Sequence, residues 1–380
     1  MAIIPEVDCV MKKTLIVLIF CLGIPLLTGV KFVPIISSPL FSDDHDSRTT
    51  MVTQKQFVST ATFSAIGDIL LHSQVYQDAE KEDGSYSFTS MLEHVAPYLG
   101  ESDITFANQE TMIGGKELGL SSYPSFNSPV EIAENLQSAG IDIAGVANNH
   151  TLDRGEKAVQ AGLAHYDRIG LPYVGAYKNE IDANTSRIIG ANGIDFGFLS
   201  YTYGTNGIPV PAGKEYLVNI ISFEKMRRDI ENIRKEADVT VVSMHWGVEY
   251  ERLPNEEQKK LASFAAAQGA DIIIGHHPHV LQPIEWIEQK NGRKSLVIYS
   301  LGNFLSGQKG LYKNIGGIFS LSVTKNETGR TQNITIHSPR FLPTIVTNQN
   351  GADFKVLPLR EVDLIRNDEI LSHMYQWLKK

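Results

Sequence analysis

Residues 271–280, DIIIGHHPHV, run from an apolar segment straight into three histidines within four positions. The chain holds 11 histidines in 380 residues, so this crowding asks for a cause. Imidazole is costly to bury without a partner and is the commonest metal ligand. A short apolar run rich in isoleucine reads as a strand buried on both faces, the kind found in α/β sheets. In such sheets ligands collect beyond the carboxyl ends of the strands. Other apolar runs end the same way. Asp68 closes VSTATFSAIGD, Glu110 closes ITFANQE, Asn149 and His150 close IDIAGVANNH, and His245 closes VTVVSMH. Any one of these alone reads more readily as a turn former. Five runs delivering carboxylate, amide or imidazole at one edge suit a site for one or two divalent cations with mixed nitrogen and oxygen ligands.

Between these runs the pattern alternates with helices. SYSFTSMLEHVAPYLGESD predicts a helix, and so do EKAVQAGLAHYDRIG, SFEKMRRDIENIRKEA and NEEQKKLASFAAAQG. In NSPVEIAENLQSAG, Ser128 is the expected N-cap, with Pro129 in the first helical position and Glu131 closing a capping box. SRIIGANGIDFGFLSYT reads as a hairpin and SLVIYSLGNF as one strand. Strand-like segments follow residue 315, and NDEILSHMYQWLKK predicts a short terminal helix. The expected class is α/β.

Bulk composition narrows the function. Net charge is −9, so no basic field holds nucleic acid, and a polyanion would need a local positive centre such as metal ions. The two cysteines, Cys9 and Cys21, precede the expected fold, which leaves no thiolate for a metal site and no disulfide framework. Lys12 and Lys13 precede an apolar stretch from Thr14 to about Val33. Its length suits a membrane span, with a signal peptide as the alternative, and the lysines favour an exported remainder. Met11 is an alternative start. The expected organisation is therefore an anchor or signal over 1–33, a polar tether over 34–56, a main domain over 57–346 and a C-terminal extension with a short helix over 347–380.

Six motifs carry a resemblance: GDILLH (67–72), ANQET (107–111), ANNHTLDRG (147–155), HWGVEY (245–250), GHHPHVLQPIE (275–285) and YSLGNF (299–304). Together they resemble the calcineurin-like metallophosphoesterases and, more closely, the bacterial capsule-synthesis CapA family, called PgsA in poly-γ-glutamate producers. The resemblance covers roughly residues 60–306. It implies a four-layer αββα sandwich of the metallophosphoesterase type, joined to the N-terminal transmembrane anchor. It further implies one or two ions of the Mn, Fe or Zn class. Asp68 and His279 would hold the first and Glu110 would bridge. Asn149, His245 and His277 would complete the second, while His150 would protonate a leaving group.

Two departures weaken phosphoesterase chemistry. Leu70 stands where that family's Asp-x-His motif has its histidine, with His72 as a weaker substitute, and Glu110 replaces the bridging aspartate. In HHPH, His277 and His279 are expected on one face of a segment held extended by Pro278. His276 would then turn toward backbone or a carboxylate behind the ligands. Asn108, Glu249 and Asn303 are placed around the ligands as polar contacts. Asp153 is expected to orient its loop or cap the next helix, Arg154 to meet an anion, and Trp246 to wall the pocket.

The resemblance implies an outward-facing, single-pass membrane subunit of a machinery that makes or exports a poly-γ-glutamate-like capsule. Its partners would be an ATP-dependent ligase and a channel subunit, and its substrate an anionic polymer rather than nucleic acid. The chain has no GxxxxGK[ST] loop, so polymerisation energy must come from elsewhere. A secreted phosphoesterase acting on nucleotides or envelope phosphate esters, and a scaffold with a vestigial site, remain as rivals.

Overall fold

Strand β1 (Gln56–Leu70) starts exposed and is buried continuously from Phe63 onward. That gradient marks where the chain enters the core. The computed structural model describes residues 56–378 except 291 and 330, so the expected anchor and nearly all of the expected tether lie outside the described residues. Among the described residues no helix is long and apolar enough to cross a membrane.

After β1 come α1 (Ser73–Asp78), α2 (Thr89–Leu92), α3 (Ala96–Leu99), β2 (Ile104–Gln109), α4 (Glu131–Ser138), β3 (Ile143–Gly145), α5 (Gly155–Ile169) and β4 (Tyr173–Val174). Next are α6 (Glu180–Ala183), the antiparallel hairpin β5 (Arg187–Ala191) and β6 (Ile194–Thr202), then α7 (Phe223–Ile233) and β7 (Val239–His245). The chain continues through α8 (Glu256–Gln268), β8 (Ile272–His276), β9 (Leu281–Glu288), β10 (Lys294–Leu301) and β11 (Asn303–Ser306). It ends with β12 (Ile315–Thr328), β13 (Thr331–Gln349), β14 (Ala352–Pro358), α9 (Leu359–Val362) and α10 (Leu364–Tyr375).

One sheet runs β14-β13-β12-β1-β2-β3-β4, with β11 also on β1; the other runs β5-β6-β7-β8-β10-β9. Three cores separate four layers. Val75, Leu92, Ile132, Val159 and Leu163 pack helices on the first sheet. Phe63, Phe106, Phe196, Phe198, Val241 and Ile274 fill the space between the sheets. Met226, Ile230, Val242, Leu261 and Ile273 pack α7 and α8 on the second. Strand alternation then places the site. Val239 and Val241 face the other sheet, and so, two and four residues on, do Ser243 and His245; Ile272 and Ile274 set the same face for His276. The αββα layering expected of the fold is present.

Several local expectations change. The helix expected over 85–103 is two short ones, because Pro97 sits in the first turn of α3 and cannot continue a preceding helix. Ser128 does not cap α4; Val130 occupies that position without a side-chain cap, and the Ser128 hydroxyl donates to Thr111 Oγ1 at 2.7 Å. SLVIYSLGNF is not one strand. Gly302, at φ 63°, breaks it, so that β10 stays in the second sheet while β11 pairs with β1 of the first. β9 and β14 lacked a clear alternating pattern in sequence, yet β9 pairs antiparallel with β10 and β14 with β13.

Candidate metal centre

The carboxyl ends of β1, β2, β7 and β8, with the loops after β3 and β8, bring Asp68, Glu110, Asn149, His245, His276, His277 and His279 into one buried cluster. Two glycines allow the strands carrying them to approach. A Cβ on Gly67 would lie 1.9 Å from the Gly302 carbonyl oxygen, and one on Gly275 would lie 1.9 Å from that of Tyr299.

Asp68 is fully buried and well supplied with donors. Asn108 Nδ2 donates to its Oδ1 at 2.8 Å, and His276 Nδ1 stands 3.3 Å from the same oxygen. His279 Nδ1 lies 3.1 Å from Oδ2, which the His277 N–H also approaches at 3.4 Å. Burial alone would raise the Asp68 pKa, but its hydrogen bonds and charge interactions with His276 and His279 hold it well below the usual carboxylate range.

Glu110 is the opposite case. It too is fully buried, yet neither carboxylate oxygen has a hydrogen-bond partner among the described residues. His245 Nε2 and His279 Nε2 each stand 3.6 Å from Oε1. Burial pushes the Glu110 pKa well above its ordinary value, against the opposing charge of His279. A buried carboxylate without donors is costly unless a cation meets it.

The ligand atoms form two triads that share Glu110: Asp68, Glu110 and His279, and Glu110, His245 and His277, each set within 4.8 Å. The residues fit a divalent cation on this observation. In the second triad, His245 Nδ1 and His277 Nδ1 are also buried without partners, and Asn149 Oδ1 lies 2.8 Å from His245 Nε2. Burial lowers the His245 pKa well below the ordinary value and that of His277 to about 3, keeping both rings neutral, as ligation requires. Burial lowers that of His279 too, but Glu110 and Asp68 outweigh it and raise the pKa to about 9. A ring nitrogen of His279 is tied down: Nδ1 lies 3.0 Å from Asn303 Oδ1 as well as near Asp68, which leaves Nε2 aimed at Glu110.

The HHPH segment is not extended. His277 has φ 93° and His279 φ 57°, so the backbone turns through left-handed conformations to present both rings. Non-glycine residues in this region cost roughly 1–3 kcal/mol each and cluster at ligand sites. His276 ends β8 instead, and the carboxylate beside it is Asp68, itself a ligand-type residue and not a group behind the ligands.

The remaining candidates divide. His150 Nδ1 pairs with Asp153 Oδ2 at 2.7 Å, and that oxygen also accepts from the Phe126 N–H. Asn206 links this pair to the centre, accepting from Asn149 Nδ2 and reaching His150 Nδ1. Glu249, exposed, lies with His277 and His279 in a further possible triad. Arg154 does not enter the cluster; its guanidinium binds the carbonyls of Leu118 and Gly119 and the Ser121 hydroxyl. Trp246 is not a pocket wall but packs in the core beneath α7 and α8, donating to the Tyr299 carbonyl, because it follows His245 by one residue and turns to the other face. His72 bonds the Leu70 carbonyl and Gly307 N–H and joins no triad. Tyr203, not singled out from sequence, holds its ring tilted 4.7 Å from that of His277 and stacked 6.4 Å from that of His245; it directly follows β6, so the same rule of strand ends pointed to it. Asn206 carried no such signal.

Comparison with known proteins completes the picture. The family model for bacterial capsule synthesis proteins, PGA_cap, matches residues 62–308. The chain belongs to this family. It is 30% identical over 284 residues to the PGA biosynthesis protein CapA of Bacillus subtilis, covering 70% of this chain and 69% of that one. It is 29% identical to the capsule biosynthesis protein CapA of Bacillus anthracis, covering 65% of this chain and 60% of that relative. A solved structure of a candidate 5′-nucleotidase from Staphylococcus aureus aligns with 18% identity and TM-score 0.43 over 77% of this chain and 55% of its own. The PGA_cap match contains every ligand-type residue of both triads sharing Glu110.

Proposed function

We propose that this chain is a membrane-tethered, outward-facing component of a machinery that makes or exports a poly-γ-glutamate-like anionic capsule, and that its metallophosphoesterase-like centre grips the polymer through one or two divalent ions. Family membership supports the capsule role. The observation that carries the metal centre is Glu110, a buried carboxylate without a donor, shared by two ligand triads. Asp68, Glu110, His245, His277 and His279 would hold the ions, and Asn149 would complete the second. A divalent ion held there supplies Lewis acidity and binds anionic oxygens. It also answers the net charge of −9, which would otherwise repel an anionic polymer. An ATP-dependent ligase and a channel subunit would be the membrane partners.

One observation favours hydrolysis as a second reading. With Nδ1 held by Asp153, the Nε2 of His150 is free to carry a proton to a leaving group. The two readings separate in capsule-producing cells. His277→Ala should abolish polymer yield under both. His150→Ala should leave it nearly intact if the centre only grips, and stop it if turnover is required. A reporter fused after residue 60 should be active only outside the cytoplasm; activity inside would remove the tethered, outward-facing placement.

A further inference from the structure

Beside His279 the surface opens into a cavity of about 330 Å³ formed by Tyr250, Arg252, Val280, Leu311, Tyr312 and Lys313. Its link to the centre is covalent and hydrogen-bonded. Val280 follows His279 in the chain, and Asn303 accepts from His279 with its oxygen while its Nδ2 donates to the Lys313 carbonyl at 2.9 Å. Tyr250 stands between the two, its ring 6.2 Å from that of His279 and 4.6 Å from the Lys313 ammonium. A cation over an aromatic face is held in place with little loss of its charge. Among the described residues no carboxylate lies within ion-pair distance of Lys313, whereas Arg252, 3.8 Å above the Tyr312 ring, has Glu369 at 3.9 Å. Lys313 is therefore the uncompensated charge of this cavity. Glu249, which hydrogen-bonds the Tyr250 side chain, lies with His277 and His279.

We infer that this cavity is a subsite for a second anionic group of the ligand whose first anion sits at the metal centre, and that Lys313 recognises it. The inference rests on the metal-centre reading above and names the class of ligand that the site takes: a chain bearing repeated negative groups rather than a single anion. A lone anion meets only the centre. A ligand with two is held at both ends, and Leu311, Val280 and the two tyrosines cover the apolar link between them. Carboxylate and phosphoryl groups share the chemistry that Lys313 reads.

The test uses the full chain loaded with Mn²⁺ and titrated calorimetrically with acetate, glutarate and 3-phosphonopropionate. Glutarate should bind more tightly than acetate. Lys313→Gln should remove that advantage, a loss of roughly tenfold, about one charge-assisted hydrogen bond. Acetate affinity and metal content should stay unchanged, because Asn303 holds the Lys313 backbone and not its side chain. Lys313→Arg should restore most of the advantage. Whichever of glutarate and 3-phosphonopropionate binds more tightly names the recognised group. Equal affinities of wild type and Lys313→Gln for glutarate, or an equal fall for acetate and glutarate, would overturn the subsite. A wild-type chain that takes up no Mn²⁺ would sink the metal reading as well, whereas metal uptake without any glutarate advantage sinks the subsite alone.

Discussion

Asp68 and Glu110 are both fully buried carboxylates, and their surroundings drive them apart. Asp68 is met by Asn108, His276, His279 and a backbone N–H, and Glu110 by no hydrogen bond among the described residues. On the metal reading proposed above, an ion would relieve Glu110 more than Asp68, and the triad of Glu110, His245 and His277 should fill first. Glu110→Gln separates the two states. Without metal the variant should be at least as stable as wild type, because it no longer buries a carboxyl group whose charged form has no partner. With saturating Mn²⁺ the order should reverse, since binding to the native state stabilises it by mass action. Thermal melts with and without metal check this; a variant less stable in both conditions would show that Glu110 serves packing alone. That Asp68, Glu110 and the histidines are candidate ligands was suggested by chemistry at strand ends, which sequence displays, whereas their separate roles came from the family resemblance. The left-handed turn at His277 and His279 was not legible, because only the surrounding structure imposes it. Lys313 was equally hidden, placed by a hydrogen bond from a residue ten positions earlier.

At the level of elements, the site depends on strands coming closer than side chains permit. Gly275 in β8 has no room for a methyl group against the Tyr299 carbonyl of β10. Gly275→Ala should therefore cost at least the roughly 1–3 kcal/mol of an overpacked core and displace His276 and His277. Urea unfolding combined with metal titration would show both losses; a variant of native stability would mean that β8 and β10 can move apart at little cost. Helices with their own capping residues were legible. Ser222 accepts from the Lys225 N–H to start α7, and Asn255 with Gln258 forms a capping box for α8. Ser128 misled, since a capping residue followed by Pro and Glu is a local signal, and a buried bond to Thr111 outweighs it. The break at Gly302 was hidden for a related reason. Nothing in SLVIYSLGNF says that its two halves belong to different sheets, although that crossing brings Asn303 to His279.

The whole molecule places two sheets face to face so that the ends of β1, β2, β7 and β8 converge on one edge. The α/β class followed from alternating strand and helix patterns and the four-layer sandwich only from the family resemblance of the motifs, with which membership in the capsule-synthesis family agrees. The strand β14, which continues the first sheet beyond residue 351, was not legible, because its half-exposed edge position gives a weak pattern. Everything proposed of the molecule's work, from gripping an anionic polymer to reading its second charge at Lys313, requires that an ion bind at Glu110. The most direct measurement is therefore the metal content of the purified chain after incubation with Mn²⁺ or Zn²⁺ and removal of excess, set beside that of His277→Ala. The account predicts at least one divalent ion per wild-type chain and a marked loss in the variant. A folded wild-type chain that retains no ion would contradict it.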